Sequence, residues 1–464
     1  MDYHDFIAAK HRRAHRSGIE IDLDRLNSRM HDWQKRAVQW FLKIGKTGAF
    51  ENCGLGKTIQ QLCWSDELVR AINRKALLLC PLAVQWQTLQ EAQKFDIQSR
   101  VQICKSQDEV KDGITITNYD KLHHFNTSEF DIVVLDESGI LKAYTGKTKQ
   151  MLCNEFLHTP YKLACSATPS PNDRMELGNH ADFLSVMPSN EMLARWFTNC
   201  GDKVGKYVLK QHGIEDFWRW VASWSLCISM PSDIGGSDEG YALPPLEMHE
   251  HIVASAIKDG FLFNVGKSIA ATEVHQEKRE TLEERADVVA SLVNPDSEPW
   301  AVWCDTDYEA DALRRRIPDA VEVRGSQSVD EKERKLKAFS EGQERVIITK
   351  AEIAGFGLNW QHCHKTTWFA GYSFEKFYQA ISRLQRFGQT KTVEVHVVRS
   401  ENEGSICDVV KEKERQHQEL QREVSLLMAE GMREELGIGK TLKRYEPTKK
   451  IKLPNWLKTK VETS

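Results

Sequence analysis

Apolar and polar positions alternate in blocks along the first half of the chain. Between residues 45 and 170, KALLLCPL, GITITNYD, FDIVVLDE and YKLACSAT are short apolar or β-branched runs, each ended by turn or polar residues and separated by helix-like stretches. Runs of this kind suit strands buried on both faces, and their alternation with helices predicts a parallel α/β sheet. A second series starts near residue 298 with EPWAVWCD, AVEVRG, ERVIITK, KTTWFAG and TVEVHVV, interrupted by helical segments such as DYEADALRRRI and DEKERKLKAFSEG. It predicts a second sheet of the same class.

The stretch between the two series, residues 190–228, is rich in Trp and Phe and reads as helical. Phe217, Trp220, Val221 and Trp224 fall at helical spacing on one face, a pattern that points to packed core rather than a base-stacking platform. PSDIGGSDEGYALPP, at 231–245, has the Gly, Pro, Ser and Asp content of a linker. After residue 400 the chain turns helical and highly charged, then basic. The expected organisation is a basic N-terminal segment (1–27), a first lobe (28–230), the linker (231–245), a second lobe (246–400) and a charged helix with a basic tail (401–464). There is no internal repeat.

Composition narrows the class. A chain of 464 residues exceeds what one core usually organises, which agrees with two lobes. No apolar run approaches the roughly 20 residues of a membrane span, and the N-terminus lacks the apolar stretch of a secretory signal. The 11 cysteines form no CxxC pair, so a reducing, cytosolic compartment is expected. The net charge of −4 argues against a uniformly basic coat, yet both ends are basic: His11, Arg12, Arg13, His15 and Arg16 at one, eight Lys or Arg against Glu446 over 440–460 at the other. Such ends permit nucleic acid, although solvated tails are the simpler reading.

The segment AFENCGLGKTIQQL carries phosphate-loop chemistry. Its glycines let backbone N–H groups turn inward over Gly54, Leu55 and Gly56, Lys57 reaches the terminal phosphates, and the Thr58 hydroxyl can ligate Mg²⁺ at a helix start. The strict pattern has glycine where this chain has Glu51. FDIVVLDESG then sets Asp136 and Glu137 at the C-terminal end of an apolar strand, where open α/β sheets place their ligands. Asp136 suits the metal and Glu137 the attacking water. By itself such a pair is as often a helix cap or turn; the next strand, ending in SATPSPN, decides in favour of a site. In the second series Gln379, Arg383 and Arg386 stand four and three residues apart, which predicts one helical face presenting two cations to a triphosphate across a cleft.

With CGLGKT at 53–58, LDES at 135–138, SATP at 166–169, GFGLNWQ at 355–361 and QAISRLQRFGQ at 379–389 in this order, the chain resembles superfamily-two helicases of the Swi/Snf type, in a compact bacterial or phage form. The resemblance covers about residues 28–400. It implies two RecA-like lobes, ATP and Mg²⁺ in the cleft between them, and DNA as the partner. It also implies that Gln34 reads adenine, that CPLAVQWQ and ITNYDKL touch the nucleic-acid backbone, that Gly357 and Gln361 link nucleic acid to nucleotide, and that Arg383 and Arg386 contact the γ-phosphate. Two departures stand out. The acidic box has Ser138 and Gly139 where the commonest version ends in a histidine, and LCISMPSDIG stands where chromatin remodellers carry a basic cluster.

The reading that follows is an ATP-hydrolysing helicase or translocase in the cytoplasm of a bacterial cell. Its rivals are an ATP-dependent DNA clamp and an ATPase subunit of a larger replication, recombination or restriction complex. No second ligand pair accompanies His362, Cys363 and His364 at zinc spacing, and no structural metal is expected.

Overall fold

The computed structural model describes residues 15–142, 146–170, 174–199, 207–254, 271–354, 358–369 and 373–403, with isolated positions between 412 and 436. The basic N-terminal stretch up to residue 14, the tail after 436 and Gly357 lie outside the described residues, as does most of the charged segment after 403.

The first lobe is built on strands β1 (Lys46–Glu51), β2 (Lys75–Leu79), β3 (Val101–Ile103), β4 (Ile114–Thr117), β5 (Phe130–Asp136), β6 (Tyr161–Ser166) and β9 (Ser225–Ile228). They form one sheet in the order β3-β4-β2-β5-β6-β1-β9, with every pairing parallel. Parallel pairing places the C-terminal ends of β5, β6 and β1 side by side on one edge. Asp136 pairs with Cys165, and Phe50 with Ser166, so the phosphate loop, the acid pair and the SATP turn leave the sheet next to one another.

The predicted helical stretch at 190–228 is only partly helical. A short antiparallel hairpin, β7 (Phe197–Asn199) with β8 (Tyr207–Leu209), interrupts it, and its last residues become β9 beside β1. Ser225, Leu226, Cys227 and Ile228 are all buried, and this apolar, sheet-forming run completes the lobe at the point where a basic cluster would have to face water. Phe217, Trp220, Val221 and Trp224 are buried core as expected, although Trp224 stands beyond the end of its helix, Ile214–Ala222.

The second lobe contains β10 (Leu246–Val253), β11 (Trp300–Cys304), β12 (Ala320–Val323), β13 (Val346–Lys350), β14 (Lys365–Phe369) and β15 (Val393–Ser400), again all parallel, in the order β10-β15-β14-β11-β13-β12. Alternate residues of β11 go to opposite faces: Ala301 and Trp303 join one apolar cluster, Trp300, Val302 and Cys304 the other. Both faces are therefore buried, which is why these strands read as continuous apolar runs. The α/β architecture of two RecA-like lobes expected from the sequence is the architecture observed. Among the described residues no helix is long and apolar enough to cross a membrane.

Candidate nucleotide site

β1 runs into residues 52–56 and then into α1, Lys57–Ile72. Gly54 and Gly56 have φ of 88° and 83°, a left-handed conformation that side chains rarely adopt. A Cβ on Gly56 would collide with the Gln34 amide, and one on Gly54 would stand 2.9 Å from the Phe387 backbone nitrogen. The loop is thus a glycine-lined cradle at a helix N-terminus, and its residues fit a phosphate group. The Lys57 ammonium donates to the carbonyls of Glu51 (2.7 Å) and Asn52 (3.1 Å), which holds it beneath the loop. Gln34, on the helix Asp32–Ile44, is 5% exposed; its amide donates to the Leu55 carbonyl at 3.0 Å and accepts from the His31 backbone at 3.1 Å. The side chain implied to read adenine is thus fastened to the phosphate loop.

Glu51, in the place of the missing glycine, is buried with Gln60 donating to it at 2.8 Å. Burial pushes its carboxyl up to about 7 against the opposing pull of Lys57. The position carries a structural carboxyl under the loop, which accounts for its tolerance of a side chain.

Asp136 and Glu137 close β5. Gln61, one turn into α1, donates to Asp136 Oδ1 at 2.7 Å, and the Tyr119 hydroxyl donates to the Asp136 carbonyl at 2.6 Å. Burial and the adjacent Glu137 hold the Asp136 carboxyl above the usual carboxylate range, while Gln61 and Lys57 draw it back. Glu137 itself has a left-handed backbone, φ 55° and ψ 52°. Ser138, the third residue of the box, lies 3.1 Å from His180 Nε2, and Gly139 follows it where the commonest version has histidine. Thr58 and Asp136 are the oxygen donors the chain offers for Mg²⁺, a hard cation that takes one or two carboxylates.

The second lobe meets this site directly, but the predicted helical face for Gln379, Arg383 and Arg386 is not what forms. The helix Phe374–Ile381 ends before the arginines, and Arg383 and Arg386 lie in the turns that follow. The Arg383 side chain donates through Nε to the Gln379 carbonyl, 3.0 Å away, the acceptor a continuing helix would have used for the Arg383 backbone N–H. Both guanidinium groups instead converge on the Leu358 carbonyl, at 3.4 Å from Arg383 and 2.8 Å from Arg386. Burial, then the neighbouring Arg383, pulls Arg386 down to about 10, and Cys53 and Glu137 of the first lobe oppose that shift. Arg386 therefore lies within electrostatic reach of Glu137 across the cleft. A cavity of about 550 Å³ opens between the lobes, lined by Leu82, Asn118, Glu137 and Thr168 from one and Leu336 and Gln379 from the other.

Residues 33–211 match the family described as SNF2-related domain. Over those residues the chain is similar to the SNF2-related domain. The matched residues take in the phosphate loop, the acid pair and the SATP turn, while Gln379, Arg383 and Arg386 lie beyond them. The chain is similar to human TATA-binding protein-associated factor 172, 24% identical over 191 residues, covering 34% of this chain and 10% of that protein. It is also similar to DNA excision repair protein ERCC-6-like from Bos taurus, 25% identical over 186 residues, covering 34% of this chain and 15% of that protein. The chain thus spans a small fraction of the length of these relatives.

Sequence reasoning missed Gln61, Tyr119, Glu51 and His180. Gln60 and Gln61 left a signal, two adjacent amides in the buried first turns of α1 between Ile59 and Leu62; His180 left none. Tyr119 falls in ITNYDKL, and its hydroxyl braces the acid strand.

Proposed function

We propose that this SNF2-related protein is an ATP-dependent DNA motor, a translocase or helicase that hydrolyses ATP between its two lobes with Mg²⁺. The observation that carries the reading is the convergence on one cleft of the phosphate loop, the acid pair at the end of β5, and the Arg386 segment of the other lobe, whose next residue, Phe387, meets Gly54. DNA is favoured over RNA because the name of the bovine relative is that of a DNA excision repair protein. The proposed units are a first lobe over 28–230 and a second over 246–400.

In this reading the backbone N–H groups of Gly54 to Thr58 and the Lys57 ammonium hold the phosphates, with Gln34 at the base end. Bound at Thr58 and Asp136, Mg²⁺ would supply charge neutralisation on the phosphate oxygens. Glu137 orients and deprotonates water, and Arg383 and Arg386 stabilise charge on the γ-phosphate when the lobes close. Because each lobe grips the DNA backbone, a cycle of closure and reopening moves the protein along it.

The test is Mg²⁺-dependent ATP hydrolysis without nucleic acid and with single-stranded DNA, duplex DNA or RNA, using Lys57→Ala and Glu137→Gln as controls. Stimulation by duplex DNA that both variants abolish is the expected result. Hydrolysis indifferent to every nucleic acid, or to Lys57→Ala, overturns the motor and leaves an adaptor or a subunit of a larger complex.

A further inference from the structure

One buried histidine joins three parts of the first lobe that the sequence keeps far apart. His180 belongs to the helix Leu177–Phe183 and is fully buried, as is Ser138, with which it shares a hydrogen bond of 3.1 Å. Its ring meets Phe50 edge-on, centroids 5.1 Å apart at 79°, and Phe50 in turn meets Trp224 edge-on at 5.9 Å. Phe50 is the second-last residue of β1, immediately before the phosphate loop. The preceding residue of the same helix, Asn179, is 1% exposed and donates to the Lys142 carbonyl at 2.9 Å. Adjacent residues of one helix therefore grip both ends of the segment 138–142.

That segment begins directly after Glu137, whose left-handed backbone costs on the order of 1–2 kcal/mol for a residue with a side chain and persists only where its surroundings impose it. The turn that follows has its own short-range bonds, Ile140 N–H to the Glu137 carbonyl at 3.3 Å and Lys142 N–H to the Gly139 carbonyl at 3.1 Å, but these do not tie it to the rest of the lobe. His180 and Asn179 do. We infer that His180 is a positioning residue for Glu137: wedged by Phe50 and bonded to Ser138, it holds the left-handed turn that aims the Glu137 carboxylate into the cleft. Burial lowers the imidazole to about 4, so at neutral pH the ring is uncharged and serves as a rigid hydrogen-bonding partner. It supplies from a distant helix an anchor for a box whose last position, Gly139, has no side chain of its own. The inference rests on the reading that Glu137 acts on the attacking water.

The experiment compares His180→Phe, which keeps a ring against Phe50 and loses the bond, with Ser138→Ala, His180→Gln and the double variant Ser138→Ala/His180→Phe. The readouts are DNA-stimulated ATPase kinetics, equilibrium binding of a fluorescent ATP analogue, and thermal melting. His180→Phe and Ser138→Ala are each expected to lower kcat about ten- to a hundredfold, the cost of a misaimed catalytic group. KM and nucleotide affinity should stay within about twofold of wild type, because the phosphate loop is untouched. The double variant should be no worse than the poorer single one, since both remove the same bond, and His180→Gln should recover part of the loss. Values of kcat for His180→Phe and Ser138→Ala near wild type, or losses that multiply in the double variant, overturn the inference. If His180→Phe does not fold, Ser138→Ala, which deletes one oxygen, decides alone. Lys57→Ala in the same assay separates the failures: turnover that survives it removes the ATPase reading itself, whereas turnover lost in Lys57→Ala but intact in Ser138→Ala removes only the role of His180.

Discussion

The backbone nitrogen of Phe387, in the second lobe, stands 2.9 Å from the point a Cβ on Gly54 would occupy in the first. The phosphate loop and the segment after Arg386 are thus in direct backbone contact, and Phe387 also packs its ring 4.7 Å from Tyr241 of the linker. A side chain at Gly54 meets two obstacles, the φ of 88° and an opposing backbone that cannot swing aside. Gly54→Ala is expected to cost about 1–2 kcal/mol locally and to lower turnover about tenfold or more. Steady-state ATPase with a parallel melting curve checks it. Unchanged turnover would show that this contact between the lobes is dispensable.

Glu51 makes stability depend on pH. Its carboxyl titrates at about 7 in the folded chain against an ordinary 4.5, so between those values the native state keeps a proton that the unfolded chain has lost. Its contribution is therefore full below 4.5 and declines as pH rises through 7. Glu51→Gln should melt with wild type near pH 5 and above it at pH 8, by an amount on the order of 2–3 kcal/mol. Melting curves at the two pH values test this, and an equal offset at both would remove the titration from the explanation.

Gln61 acts on Asp136 through a 2.7 Å hydrogen bond that favours the charged carboxylate. Gln61→Leu removes that donor, so Asp136 should hold its proton to higher pH. The acid limb of the kcat/KM profile, measured over roughly pH 5 to 9, is expected to move upward while the alkaline limb stays in place. An unmoved acid limb would mean that another group sets it.

Arg386 offers a half-buried charge whose guanidinium donates to the Leu358 carbonyl and lies within electrostatic reach of Glu137. Arg386→Ala should lower kcat by about 10³ or more with nucleotide binding retained, and Arg386→Lys should rescue little, because an ammonium cannot reproduce the planar fork. Rapid-quench hydrolysis with a separate binding isotherm distinguishes lost chemistry from lost affinity. A rise in Kd that accounts for the whole defect would place Arg386 in ground-state binding instead.

Much of this protein was legible in its sequence because the relevant signals are local. KALLLCPL, FDIVVLDE and ERVIITK declare buried parallel strands by their unbroken apolar character, and the glycines, Lys57 and the strand-end acids declare their chemistry by residue type and spacing. β10 was not legible: Leu246–Val253 mixes Glu and His with apolar residues and runs through three polar ones, His249 to His251, and it forms a strand at the sheet edge because β15 supplies the partner. The helical face expected for Arg383 and Arg386 failed for a related reason, since the Leu358 carbonyl and the Gln379 carbonyl draw both guanidinium groups out of helical register.

The sequence by itself determined most of the sheet strands, that there would be two α/β lobes, and which residues are candidates for phosphate and metal, because periodicity and side-chain chemistry are properties of neighbours along the chain. Only the tertiary structure decided that β5, β6 and β1 end side by side, that Gln61 meets Asp136 and His180 meets Ser138, and that Arg386 comes within electrostatic reach of Glu137. Those pairings join residues 75, 42 and 249 positions apart, and no local preference encodes them. They follow from strand order and from the burial of both sheet faces, which is satisfied by the folded lobe as a whole.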